Sequence, residues 1–130
     1  MLYKYELDFA HLTERYFEDN FDGKTSAFWR EQATFRKDRM NSLMWNEEAG
    51  QYFDYAFAKA EQTHFESASN YFPLWAGIPS PEQAQKSVVS LMTNLKEKGG
   101  VAGTSRTMNS QVSDGAVQRQ WDYPNGWAPH

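Results

Sequence analysis

Leu2, Tyr5, Phe9, Leu12 and Tyr16 recur at spacings of three and four, so they share one face of a predicted helix that runs to about Asn20. That helix is expected to bury this one side. Asp19-Asn20-Phe21-Asp22-Gly23 then interrupts the pattern with turn-forming residues. Aligning Gly23 with the glycine of a calcium-binding loop puts Glu18 at the first ligand position and Trp29 at the last, where a bidentate Glu is required. The turn is therefore not a calcium loop. Thr25 or Ser26 can cap a second helix, in which Trp29, Ala33, Met40 and Met44 form one stripe and Phe28 and Phe35 an adjoining one. Two stripes imply two neighbours.

At Trp45 the chain changes character. Asn46 to Gly50 reads as a turn, and Gln51-Tyr52-Phe53-Asp54-Tyr55 has the aromatic content of a strand, which together predict a short β-hairpin between helices. From Ser67 to Ile78 the sequence is apolar nearly all round after its first turn, the pattern of a buried helix that Pro73 either bends or begins. Ser80-Pro81-Glu82-Gln83 supplies a capping serine, a proline at the first helical position and a glutamine three residues after the cap. Ala84, Val88, Leu91 and Leu95 carry the apolar stripe of the helix that follows, and Gly99-Gly100 is expected to end it. Arg106 to Val117 is polar and aperiodic, so it reads as an irregular loop.

Composition narrows the function. The 130 residues, 40% hydrophobic and 16% aromatic, can bury a single core and make no more than one domain. A net charge of −4 and a pI near 5.3 argue against a nucleic-acid partner, and Arg30, Arg36, Lys37 and Arg39 read as a solvated helix face. The lack of cysteine excludes a disulfide framework and a thiol nucleophile, and fits a reducing compartment. No apolar run reaches the roughly 18 residues of a membrane span, so no membrane partner is expected. Met1 to Glu6 does not resemble a secretory leader. Because a helical pattern is already running at Leu2 and an aromatic motif stops just short of His130, both ends read as cuts through a larger protein.

Among candidate chemical groups, Glu47, Glu48 and Asp54 read as solvated turn carboxylates. The glycine-rich stretch Gly99 to Ser105 lacks the lysine of a phosphate-binding loop. The informative stretch is Gln120-Trp121-Asp122-Tyr123-Pro124-Asn125-Gly126-Trp127-Ala128-Pro129. Its flat rings can stack on the C–H face of a pyranose while Gln120, Asp122 and Asn125 hydrogen-bond neighbouring hydroxyls. Composition alone leaves a core-anchoring loop equally open.

The run Gln-Trp-Asp-x-Pro-x-Gly-Trp-Ala-Pro resembles one of two signature motifs of the trehalases, inverting glycoside hydrolases that split trehalose into two glucose molecules. Leu2 to Asp8, Met44 to Tyr55, Glu66 to Ser69 with Pro73 to Gly77, and Gly99 to Val101 also resemble trehalase segments, in the right order. Their flavour is that of the fungal neutral, cytoplasmic enzymes. Ala56 departs from the family, which often continues Asp-Tyr with a second acid. The resemblance implies an all-α fold, a sector of an α/α toroid (six-hairpin barrel) with short β-hairpin connections, and makes residues 1–130 part of a catalytic domain.

An inverting glycosidase needs a carboxylic acid and a carboxylate base roughly 6.5–9.5 Å apart. The family's acid lies in a Pro-Arg-Glu-Ser-Gly-Trp-Asp motif upstream and its base is a Glu downstream. Glu66-Ser67 continues as Ala-Ser-Asn and Glu97-Lys98 runs into Gly99-Gly100, so neither motif is present and no catalytic residue is assigned. The resemblance instead implies substrate binding by Gln120, Trp121, Asp122, Asn125 and Trp127, with trehalose and glucose as the small-molecule partners and no metal or other cofactor. A competing reading is a non-catalytic helical module that binds carbohydrate or another protein.

Overall fold

The computed structural model describes residues 1–108 and 122–124. The chain divides into two compact units, Met1–Leu43 and Met44–His130.

The first unit is a helical hairpin of α1 (Leu2–Tyr16) and α2 (Ser26–Leu43). The face of α1 that is buried carries Glu6, Ala10 and Thr13, and its counterpart on α2 carries Ala33 and Ser26. These small side chains let the two backbones approach closely. The predicted stripe Leu2, Tyr5, Phe9, Leu12 and Tyr16 is instead 41–64% exposed. Glu6, Ala10 and Thr13 repeat with the same helical period, so spacing alone did not say which face would meet α2. Glu6 is tolerated inside because Arg36 grips it, with Nε donating to both carboxylate oxygens at 3.0 Å and Nη2 donating to Oε1 at 2.6 Å. Arg30 likewise donates to Glu14 and, at 2.8 Å, to Ser26 Oγ. Two of the four basic residues read as a solvated face therefore tie the helices together. Phe9 packs on Trp29, with ring centroids 5.0 Å apart.

α1 stops at Tyr16, before Asn20, because Glu18 and Asp19 turn into the left-handed region at φ 52° and 56°. The turn then starts α2: Asp19 Oδ1 accepts from the Ser26 N–H at 2.8 Å, and Thr25 Oγ1 accepts from the Phe28 N–H at 3.3 Å.

In the second unit one hairpin was expected and three are found. β1 (Trp45–Asn46) pairs antiparallel with β2 (Gln51–Tyr52), β3 (Tyr55–Ala56) with β4 (Glu61–Gln62), and β5 (Lys96–Glu97) with β6 (Gly100–Val101). Gln62 ties the first two together, its Oε1 accepting from Asn46 Nδ2 and its Nε2 donating to the Trp45 carbonyl, both at 2.9 Å. Gly50 closes the β1–β2 turn at φ 63°, and a Cβ there would stand 3.1 Å from the Lys86 carbonyl oxygen. Glycine is thus required by both conformation and space.

The segment predicted as one buried helix is a 3-10 turn (Ala68–Tyr71) running into the short α3 (Phe72–Ala76), stopped by Gly77 at φ 74°. Pro73 lies in the first turn of α3. Trp75 is 62% exposed, so this segment is not buried all round. α4 (Pro81–Asn94) opens with the expected capping box: Ser80 Oγ accepts from the Gln83 N–H at 3.2 Å and Gln83 Oε1 accepts from the Ser80 N–H at 2.8 Å. The helix ends at Asn94, earlier than expected, and Lys98-Gly99 forms the β5–β6 turn, with Gly100 already in β6. Leu95 and Leu91 join Ala68, Tyr71 and Leu74 in the core as predicted, but Val88 faces outward, and Ser87 and Ser90 are the buried α4 residues. Their small size admits the neighbouring segments, and Ser90 Oγ lies 3.0 Å from the Tyr71 hydroxyl. Residues 106–108 are helical, not irregular, and Ser105 Oγ accepts from the Met108 N–H at 3.3 Å. The rest of the predicted loop lies outside the described residues.

Candidate functional site

Of the five residues assigned to substrate binding, Gln120, Trp121, Asn125 and Trp127 lie outside the described residues, and Asp122 is half-buried. The description of the motif therefore rests on Asp122, Tyr123 and Pro124. Beside Tyr123 stands a charged pair built by two separate backbone elements. Glu97 is fixed in β5, opposite Gly100. Arg106 follows Ser105, whose N–H donates to the Glu66 carbonyl at 3.2 Å, next to an antiparallel bridge between Ser67 and Thr104. The Arg106 guanidinium donates to Glu97 from Nε at 3.1 Å and from Nη2 at 2.8 and 3.0 Å. Its Cζ also lies 5.1 Å from the centre of the Tyr123 ring. Arg106, and then a hydrogen bond from the Tyr123 hydroxyl, hold the Glu97 carboxyl below its ordinary range. The same bond to Glu97 raises the Tyr123 phenol.

Glu97 and Arg106 line a cleft of about 330 Å³ together with Glu66, Thr93, Asn94, Lys96, Ser105 and Thr107. Behind Glu66 runs a network of amides. Glu66 Oε1 accepts from Gln51 Nε2 at 3.2 Å and from Asn94 Nδ2 at 3.3 Å, and Gln51 Oε1 accepts from Asn70 Nδ2 at 3.1 Å. Gln51 is wholly buried, so each of these bonds offsets a desolvation cost. Burial also pushes the neighbouring Tyr52 phenol up to about 12.

Chemically this is a wall of hydrogen-bonding groups and not an acid–base pair. Glu97 is kept ionised by Arg106, which suits it to accepting bonds and unsuits it to donating a proton. Among the described residues no three His, Cys, Asp or Glu side chains are grouped to hold a metal ion. Glu47, read as a free turn carboxylate, is exposed but accepts from Trp45 Nε1 at 2.8 Å and pairs with Lys86. Sequence reading missed Gln51, Asn70, Asn94 and Arg106. Single amides set inside apolar runs, such as Gln51 before Tyr52-Phe53, were the available sign.

The chain belongs to the trehalase family, whose model matches residues 1–130. It is similar to the cytosolic neutral trehalase of Kluyveromyces lactis, 42% identical over 135 residues that take in the whole of this chain and 18% of that protein. It is also 38% identical to the cytosolic neutral trehalase of Saccharomyces cerevisiae, over the whole of this chain and 18% of that one. The solved structure of the neutral trehalase Nth1 from S. cerevisiae superposes with a TM-score of 0.92, covering 99% of this chain and 24% of its own. The chain thus spans about a fifth of the length of these relatives. No described helix is long and apolar enough to cross a membrane.

Proposed function

We propose that residues 1–130 are a sector of the helical toroid of a cytoplasmic enzyme that hydrolyses trehalose to two glucose molecules with inversion, and that they furnish part of its sugar-binding wall. The observation that carries this is similarity along the whole chain to neutral trehalases, together with a matching backbone. The open apolar faces of α1 and α4, with Phe9, Leu12, Val88 and Val89 exposed, fit a sector whose neighbours belong to the rest of such a ring. The acid and base come from those other parts. Gln120, Trp121, Asp122, Asn125 and Trp127 bind substrate, Trp121 by stacking on a glucose unit.

The test is Trp121→Ala in the whole protein that carries this chain. A stacking residue should lose about 1–3 kcal/mol of substrate or transition-state binding, read from kcat/KM, with little change in melting temperature. A core tryptophan would instead lose about 3–5 kcal/mol of folding stability. A variant that melts far lower yet keeps its catalytic efficiency in the cold removes Trp121 from the site.

A further inference from the structure

We propose that Arg106 is a positioning residue that sets the course of the Asp122-Tyr123 segment by holding the Tyr123 ring against a guanidinium clamped on Glu97. The inference rests on the sugar-wall reading above, and it adds a residue to which neither the motif nor the family match gives a role.

The geometry argues it in three steps. First, Glu97 is itself fixed, since Lys96 and Glu97 pair with Val101 and Gly100, and the Ala102 N–H donates to the Leu95 carbonyl at 2.9 Å just beyond. Second, three nitrogen–oxygen contacts of 2.8–3.1 Å fix the orientation of the guanidinium plane as well as its position. Third, Arg106 Cζ lies over the Tyr123 ring, 5.1 Å from its centre. Tyr123 is joined directly to Asp122, so a fixed ring limits where Asp122 can go.

Stability is a poor reason for such a cluster here. The Arg106 side chain is 69% exposed, and exposed ion pairs add little to folding. What a fork and a stack supply, beyond a single charge contact, is placement.

The experiment is steady-state kinetics and thermal melting of the whole protein carrying Arg106→Ala, Arg106→Lys and, as reference, Trp121→Ala. Arg106→Ala should raise KM for trehalose by about tenfold, with kcat changed by no more than about twofold and the melting temperature unmoved. Arg106→Lys keeps the charge but loses fork and stack, so it should not restore KM. An unchanged KM in Arg106→Ala beside a raised KM in Trp121→Ala overturns the brace and leaves the sugar wall standing. Unchanged KM in both overturns the two readings together, and full rescue by Arg106→Lys overturns the fork-and-stack placement. Should Arg106→Ala fail to fold, Tyr123→Leu decides in its place, a raised KM supporting the brace and an unchanged one overturning it.

Discussion

The two units hide opposite kinds of surface. In the helical hairpin, large aromatic and aliphatic side chains of α1 stay open while Ala10, Thr13 and the Glu6–Arg36 pair occupy the interface with α2. In the second unit Leu95, Tyr71 and Ile78 are buried, and beside them Gln51, Asn70, Asn94 and Glu66 are bonded to one another. The difference teaches that burial here follows the availability of partners more than the polarity of the residue. A glutamate or glutamine is taken inside where its groups are all met, whereas Phe9, though its ring packs on Trp29, stays half exposed.

The largest effect should come from breaking the buried network. Gln51→Leu keeps roughly the volume but takes a bond from Glu66 Oε1 and one from Asn70 Nδ2, each left facing a buried apolar group. A loss of about 2–3 kcal/mol is expected, read from denaturant titration of the whole protein. A neutral result would mean that the amides are dispensable to the second unit. Next comes Glu6→Ala in the first unit, which leaves Arg36 without its carboxylate. Because the Arg36 side chain is 37% exposed and can turn to water, the expected cost is smaller, about 1–2 kcal/mol. If Glu6→Ala cost more than Gln51→Leu, the helical hairpin and not the network would be the more polar-dependent of the two.

Legibility in the sequence followed the same divide. Wherever a local pattern determines a local structure it was readable: both long helices, the first hairpin, the cap at Ser80 and the placing of Leu91 and Leu95 in the core. Which stripe of α1 faces α2 was not, because Glu6-Ala10-Thr13 and Tyr5-Phe9-Leu12 share a period, and only the tertiary partner Arg36 makes the first acceptable inside. The second and third hairpins escaped notice because two-residue strands such as Tyr55–Ala56 are too short to show alternation. Of the candidate site, the reading of Trp121-Asp122 as sugar-binding came from composition and family resemblance, and of the two only Asp122 is among the described residues. The Glu97–Arg106–Tyr123 triangle was not, since its members are separated by 9 residues on one side and lie across an aperiodic stretch on the other.

The smallest effect tests whether a local signal also matters locally. Ser80 and Gln83 satisfy each other's backbone N–H groups at the start of α4, and Glu82 adds a carboxylate to that first turn, where its own backbone N–H and then the Ser80 hydroxyl hold its carboxyl below the ordinary range. Ser80→Ala removes the acceptor for the Gln83 N–H but leaves Gln83 free to accept from residue 80. Half of the box survives, so the expected cost is about 1 kcal/mol. Because α4 carries Ser90 and Asn94 into the network at its far end, fraying at residue 80 should speed hydrogen exchange over the first turn alone. Amides near Ser90 and Asn94 should keep their protection. If instead exchange quickened along the whole of α4 and at the 3-10 turn, the helix would be opening as one piece with the network, and the second unit would owe its order to the cap as much as to the buried amides.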